Sequence, residues 1–395
     1  MDKLGMMKIK MKIKKGRNLI LVEVGVVCAI ALILILIMPV LLSDFRLNLL
    51  GRFLSLAIVA LGIDLIWGYA GLLSLGHGIF FGLGGYAIAM YLKLQVPMGE
   101  LPDFMALYGV VELPGFWRPF SSFPLSMAAV VMIPGLLAGL LGYLVFRNRI
   151  KGVYFSILTQ AAIIVFFNFF NGQQQFFNGT NGLIDFTTFP PLSWGVNGSG
   201  AMVSDSKTQF VFYVLTVIFL AAIYGLCRWL TSGRFGRLLI AIRDDESRVR
   251  FSGYDPTDFK VLVFAVSGAI AGIAGAFYTV QSGSVSPRSM DIGFSIEMVI
   301  WVAVGGRGTL TGAVLGTLLV NYARTFLSEQ FAEIWLFFQG ILLLTIVILL
   351  PDGIMGWLNK QNIPFWKRQQ LKFSDTYPSL EEDMEVKHER QNIGN

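Results

Sequence analysis

The chain has 395 residues, of which 55% are hydrophobic and only 14% charged, against about 25% charged in an ordinary soluble domain. Long charge-poor runs cause the deficit, and about 20 such residues span a bilayer as a helix, so the composition indicates a mostly helical integral membrane protein. The net charge of +6 does not point to nucleic acid, because the basic residues do not cluster on a soluble domain.

The chain opens with MDKLGMMKIKMKIKKGR, a basic leader over 1–17, followed by the apolar run Asn18–Leu42, whose one charge is Glu23. A secretory h-region is shorter, about 7–15 residues, and ends in a small-residue cleavage site. Pro39-Val40-Leu41-Leu42 is not such a site, so the run reads as a retained first span with a cytoplasmic anchor. Further apolar segments fall at 49–69, 72–92, 125–146, 153–171, 209–229, 261–281, 294–304, 309–322 and 332–350. The segments 294–304 and 309–322 are each too short for a hydrocarbon core of about 30 Å, and Gly305-Gly306-Arg307-Gly308 separates them. They read as a broken or re-entrant hairpin, with two tilted spans as the alternative. The expected fold is all-α, a polytopic helical bundle of about 8–10 membrane segments. Its parts are the leader 1–17, a transmembrane domain 18–350 containing a cytoplasmic loop 228–260, and a largely disordered cytoplasmic tail 351–395.

Lys and Arg in loops set orientation. With the N-terminus inside, the inside segments carry 23 basic residues and the outside segments 6, so both termini are expected in the cytoplasm. The outside loops 93–124 and 172–208 are rich in Pro, Gly, Asn and aromatics and read as structured caps. Asn178 and Asn197 head N-x-[ST] sequons there. Cys28 and Cys227 lie inside apolar runs, so no disulfide is expected.

No G-x-x-x-x-G-K-[ST] is present to cradle ATP phosphates, and there is no H-E-x-x-H and no G-x-S-x-G. The expectation is no catalytic residues, no metal and no cofactor. Three regions carry information instead. Leu61–Leu92 contains the uncharged turn Gly68-Tyr69-Ala70-Gly71, with Asp64, Tyr69, Ser74 and His77 nearby. Irregular backbone at membrane depth survives only when buried in protein or lining a cavity. His77 therefore has two readings, a helix-packing hydrogen bond or a place on a substrate path, and Asp64 likewise, interfacial or internal. Phe294–Asn321 repeats Gly308, Gly312 and Gly316 at four-residue spacing, a flat face for close helix packing. It also carries Glu297 and Arg307, and Glu297 is expected to pair across the bundle, with Arg307 a candidate partner. Glycine-interrupted segments in two parts of a transporter are pointers to its path. In the span 153–171, Tyr154, Ser156, Thr159, Gln160 and Asn168 offer neutral hydrogen-bonding groups, suited either to an amide substrate or to interhelical bonds.

The third region is the loop SGRFGRLLIAIRDDESRVRFSGYDPTDFKVLVF. Asp244 with Arg248, and Glu246 with Arg250, stand at i,i+4 in the favourable acid-first order. Gly253 is a plausible C-cap ahead of Tyr254-Asp255-Pro256. One short charged helix over Ile242–Ser252, including Arg243 and Asp245, reads as a docking element for a cytosolic partner or as a plain basic inside loop.

The strings GYAGLLSLGHGIFFGLGGYA, FGRLLIAIRDDESRVRFSGYDPTDFKVLVFAVSGAIAGIAGA and VGGRGTLTGAVLG resemble the LivM-type permeases of branched-chain amino-acid ABC importers, in order over about residues 50–355. The chain looks closest to the urea permease of the C type, through SLGHGIFFGLGGYA, LPDFMALYGVVELPGFW, GVYFSILTQA, RDDESRVRFSGYDP and SIEMVIWVAVGGRGTL. The resemblance implies an inner-membrane subunit paired with a homologous permease, two cytosolic ATPases and a periplasmic substrate-binding protein. It implies that Ile242–Ser252 is the coupling helix, and that the cargo is urea or a branched-chain amino acid. A self-sufficient urea or amide channel is the alternative of another class, and it would have no need of a loop like Arg237–Phe259.

Overall fold

A computed structural model describes residues 25–95, 101–150, 152–186 and 206–331, the helix 353–360, and the short pieces 188–189, 201–202, 337 and 340–341. The leader 1–17, the segment 332–350 with most of its length, Asn197 and the tail beyond 360 lie outside the described residues.

The apolar runs form helices: α1 Gly25–Leu41, α2 Asp44–Asp64, α3 His77–Lys93, α4 Phe123–Arg147, α5 Val153–Gly172 and α6 Ser206–Ser232. Two short charged helices follow, α7 Arg234–Asp244 and α8 Glu246–Phe251. The chain then runs through α9 Pro256–Ser282, α10 Ile292–Gly305, α11 Leu310–Gln330 and α12 Gly353–Lys360. Among the described residues, six helices are long and apolar enough to cross a membrane. The fold is the polytopic helical bundle that the composition indicates.

Helix α9 sits at the centre, against α2, α3, α4 and α6, because glycines let backbones meet. A Cβ on Gly272 would collide with the Val130 carbonyl and the Pro134 ring. Pro134 has no N–H to offer that carbonyl, and this stretch of α4 lies directly on α9. On the other side, a Cβ on Gly275 would strike the Phe81 carbonyl, and one on Gly84 the Gly272 carbonyl. Small residues at these positions allow the close backbone approach at the centre of the bundle.

The pair 294–304 and 309–322 departs from expectation in one respect. Helix α11 continues to Gln330, 21 residues in all, well past 322. It turns back on α10 as a hairpin, with Gly312 and Gly316 against the backbone of Gly305 and Trp301. Gly308 does not join that face: it lies in the turn before α11 with φ of +78°.

At the end of the bundle where α3 finishes, the loops form a cap. Phe104, Met105 and Trp117 are buried there, and Leu183–Ile184 pairs antiparallel with Ser284–Val285. Trp117 is only 4% exposed, because it packs on Phe116, Phe120 and Phe177, so this loop is a structured cap. The charged helices α7 and α8 lie at the opposite end.

Candidate functional site

The three informative regions meet at that opposite end. Helix α2 finishes in a π-turn, Leu65–Tyr69, and the chain stays non-helical until His77. The break is therefore longer than the four residues Gly68–Gly71. Its backbone groups are satisfied by α5: the Ser156 hydroxyl donates to the Leu73 carbonyl at 2.6 Å, and the Leu75 N–H donates to Thr159 Oγ1 at 3.1 Å. Ser156 and Thr159 are thus committed to the fold of the break. Asn168 bonds its own helix at the Ile164 carbonyl.

His77 and Ser74 are buried in a chain of hydrogen bonds. The Ser267 hydroxyl donates its one hydrogen to the Gly62 carbonyl at 2.6 Å. It must therefore accept from His77 Nε2 at 2.7 Å, which leaves Nδ1 to take the Ser74 hydroxyl at 3.1 Å. The ring is wedged between Phe80 and Phe264. The network ties α2, α3 and α9 together.

Asp64 is fully buried. Its Oδ1 accepts from the Gly308 N–H at 2.6 Å, in the turn just ahead of α11. The carboxylate so faces the positive end of the α11 dipole, the favourable position for an anion. Gly68 has no room for a side chain, since a Cβ would overlap Gly308 and the Asp64 carboxylate. Tyr69, half-buried, lies within electrostatic reach of Asp64 and Arg228.

The charged element is two helices, not one over Ile242–Ser252. Asp245 has φ of −156° and ψ of 100°, and its side chain accepts from the Ser247 and Arg248 N–H groups, starting α8. An Asp is a strong N-cap, and here it breaks the run. The break also re-pairs the charges. Arg248 bonds Asp245 at 3.0 Å and Arg243 bonds Asp244 at 3.2 Å, so the expected Asp244–Arg248 pair does not form. Glu246 does meet Arg250 at 3.0 Å, and it also meets the buried Lys260 of α9 at 2.7 Å. Lys260 in turn stands over the Phe146 ring. Gly253, at φ of +85°, closes α8: its N–H bonds the Arg250 carbonyl and that of Tyr254 bonds Val249, a Schellman pattern. Asp255 then caps α9 through the Thr257 N–H at 2.9 Å, with Pro256 at the first helical position. The Arg248 N–H holds the Asp245 carboxyl below the usual carboxylate range, and the Thr257 N–H does the same for Asp255.

Ile242 is buried and anchors α7, while the Arg243 side chain donates from Nη1 to the Gly68 carbonyl at 2.7 Å. The charged pair therefore touches the break after α2, and the break touches the turn before α11. Sequence spacing had no signal for the Arg243–Gly68 bond. It also missed Phe251, which projects from the end of α8 at 92% exposure.

The remaining candidates are dispersed. Glu297 pairs with Arg324 of α11 at 2.6 Å, not with Arg307, which sits exposed in the turn. Helix α11 is long enough to bring Arg324 back beside Glu297, and that length was not read from the sequence. Tyr154 is 76% exposed and Gln160 half-buried, both on α5.

Six helices long and apolar enough to span a membrane, with this charged joint at one end, make the class a polytopic helical membrane protein. Residues 45–347 match the family described as the branched-chain amino acid transport system permease component, and the chain belongs to that family. Similar proteins include the high-affinity branched-chain amino acid transport system permease protein LivM of Escherichia coli, 24% identical over 338 residues, covering 82% of this chain and 73% of that one. The permease protein BraD of the same kind of system in Pseudomonas aeruginosa is 25% identical over 320 residues, covering 76% and 91%. LivH of Salmonella typhimurium is 24% identical over 308 residues, again covering 76% and 91%. No solved structure matches the chain.

Proposed function

We propose that the chain is the membrane-spanning permease subunit of an ABC importer, driven by separate cytosolic ATPases that dock on α7 and α8. The observation that carries this reading is the construction of that pair. It is capped at Asp245 and Gly253 and clamped to α9 by Glu246–Lys260, yet it leaves Phe251 and Tyr254 out in solvent. A rigid charged element with exposed aromatics at its tip suits an interface, where aromatic anchors dominate binding. In this reading the pair is cytoplasmic, as are both termini, which agrees with the distribution of Lys and Arg. The cap faces the periplasm and a substrate-binding protein.

The cargo we favour is urea. The motifs resembling urea permeases support it, and so do the neutral amide and hydroxyl groups of Gln160 and Tyr154. Both lie on α5, a helix that this chain buries little, where a homologous permease subunit would complete the path; Asp64, Ser74 and His77 act in this reading from behind it, as the buried frame of the broken segment. The names of LivM, BraD and LivH favour a branched-chain amino acid as the second reading. A tagged chain purified from native membranes should bring a second permease and ATPase subunits with it, and cells should accumulate labelled urea against its gradient in preference to labelled leucine. Preference for leucine would move the cargo to the second reading. Uptake that is purely downhill and indifferent to loss of the ATPases would replace the permease by a channel.

A further inference from the structure

Resting on that reading, we propose that Arg243 is the positioning residue that passes movement of the docked helix pair to the two glycine-broken membrane segments. Beside the buried apolar anchors Leu239 and Ile242, two polar contacts join the pair to the bundle. Through Glu246 it is fixed to Lys260, a residue of the regular helix α9 that lies over Phe146 of α4. Through Arg243 it reaches backbone that is not α-helical. The arginine stem lies over Gly71, which has φ of +73° and no space for a Cβ on that side. The guanidinium donates to the Gly68 carbonyl at 2.7 Å, and its Nε is held from the solvent side by Asp244 at 3.2 Å.

What lies behind Gly68 makes the contact consequential. Its Cα packs on the backbone of Gly308 and on the Asp64 carboxylate, so a shift of the Gly68 peptide displaces both. Asp64 cannot absorb the shift by finding a new partner: it is fully buried, and its Oδ2 has none among the described residues. The Gly308 N–H bond holds it, and Gly308 leads directly into α11. Beside that turn, Gly353 of α12 packs on the backbone of Gly306. A continuous line of contacts thus runs from α7 through Arg243, Gly68, Asp64 and Gly308 to α11. Packed α-helices move as bodies, whereas a π-turn and a positive-φ glycine turn are elements at helix ends where a chain can absorb a change in φ and ψ. Coupling needs such an element, biased by both sites.

The test uses the assembled transporter, with its ATPases, in proteoliposomes, and reads the ratio of urea moved to ATP hydrolysed for Arg243→Met and Arg243→Lys. Methionine keeps the apolar stem over Gly71 and loses the donor, while lysine keeps one donor within reach of Gly68. The methionine variant should retain bound ATPases and lower the ratio roughly 2- to 30-fold, the span seen for residues along a coupling route. Lysine should restore most of the loss. An unchanged ratio in Arg243→Met overturns the proposal. Loss of bound ATPases also overturns it, by assigning Arg243 to the docking face, and so does loss of the chain from the membrane, by making the residue structural. If no ATPase accompanies the unmodified chain, the permease reading itself fails, an outcome distinct from these.

Discussion

At the cap, Tyr86, Trp117, Phe120, Phe170 and Phe177 close over the bundle through ring contacts with centroids 4.3–5.8 Å apart. At the opposite end, the junction rests on a few directional bonds: Arg243 to Gly68, Gly308 to Asp64, Glu246 to Lys260. Apolar burial is non-directional and scales with area, so the cap holds its shape through many weak contacts. A hydrogen bond is lost within a fraction of an ångström and degrees of angle, so the junction has states that are made or broken. One end is held by area, the other by geometry.

Substitutions in the two regions should therefore fail differently. The largest effect on stability is expected from Trp117→Ala, where removing a buried aromatic costs about 3–5 kcal/mol. It should appear as a lowered melting temperature of the solubilised chain, insensitive to salt. Lys260→Met comes next. It leaves Glu246, 11% exposed in its side chain, with Arg250 as its remaining charge partner in that cluster. The expected cost is about 2–4 kcal/mol, below that of stranding a wholly buried charge, and adding Glu246→Gln to the same chain should recover part of it. Glu297→Gln breaks the pair with Arg324, which is partly exposed and worth about 1 kcal/mol or less to the fold. If the pair lines the path, uptake should fall while insertion stays normal, and normal uptake would make it a strut between α10 and α11. Asp255→Ala has an effect of similar small size, the loss of a helix cap worth about 1 kcal/mol. Because the Thr257 N–H depresses the folded pKa of Asp255, its contribution is present above the unfolded carboxylate value near 3.9. It is lost as pH falls through the depressed folded value. Wild type and variant melting curves should converge only in strong acid, and a constant gap down to that range would discount the cap bond.

The sequence made the bundle legible because hydropathy and glycine spacing are local quantities, and Gly312 and Gly316 pack face to face with α10 as their spacing suggests. The extent of α11 was hidden because Asn321, Tyr322, Arg324 and Glu329 lower its hydropathy after 320. Their polar groups are nevertheless met in space, Arg324 by Glu297 and Glu329 by Arg46. The split at Asp245 was legible in principle, since an Asp ahead of Glu-Ser-Arg is an N-cap pattern. Counting i,i+4 pairs through it assumed the continuity that the cap removes. The bonds from Arg243 to Gly68 and from Gly308 to Asp64 join residues 175 and 244 positions apart, and no periodicity carries such information. That leaves the junction, the part closest to function, as the part least readable from the chain alone.

The account rests on the helix pair being the place where an ATPase engages, and Phe251 tests that most directly. The side chain is 92% exposed, so Phe251→Asp should leave the amount and melting temperature of the membrane-inserted chain unchanged. In proteoliposomes containing the complete assembly, it should abolish both ATPase association and ATP-driven urea uptake. ATP-driven uptake at the wild-type rate, with the ATPases still bound to the variant, would contradict the account.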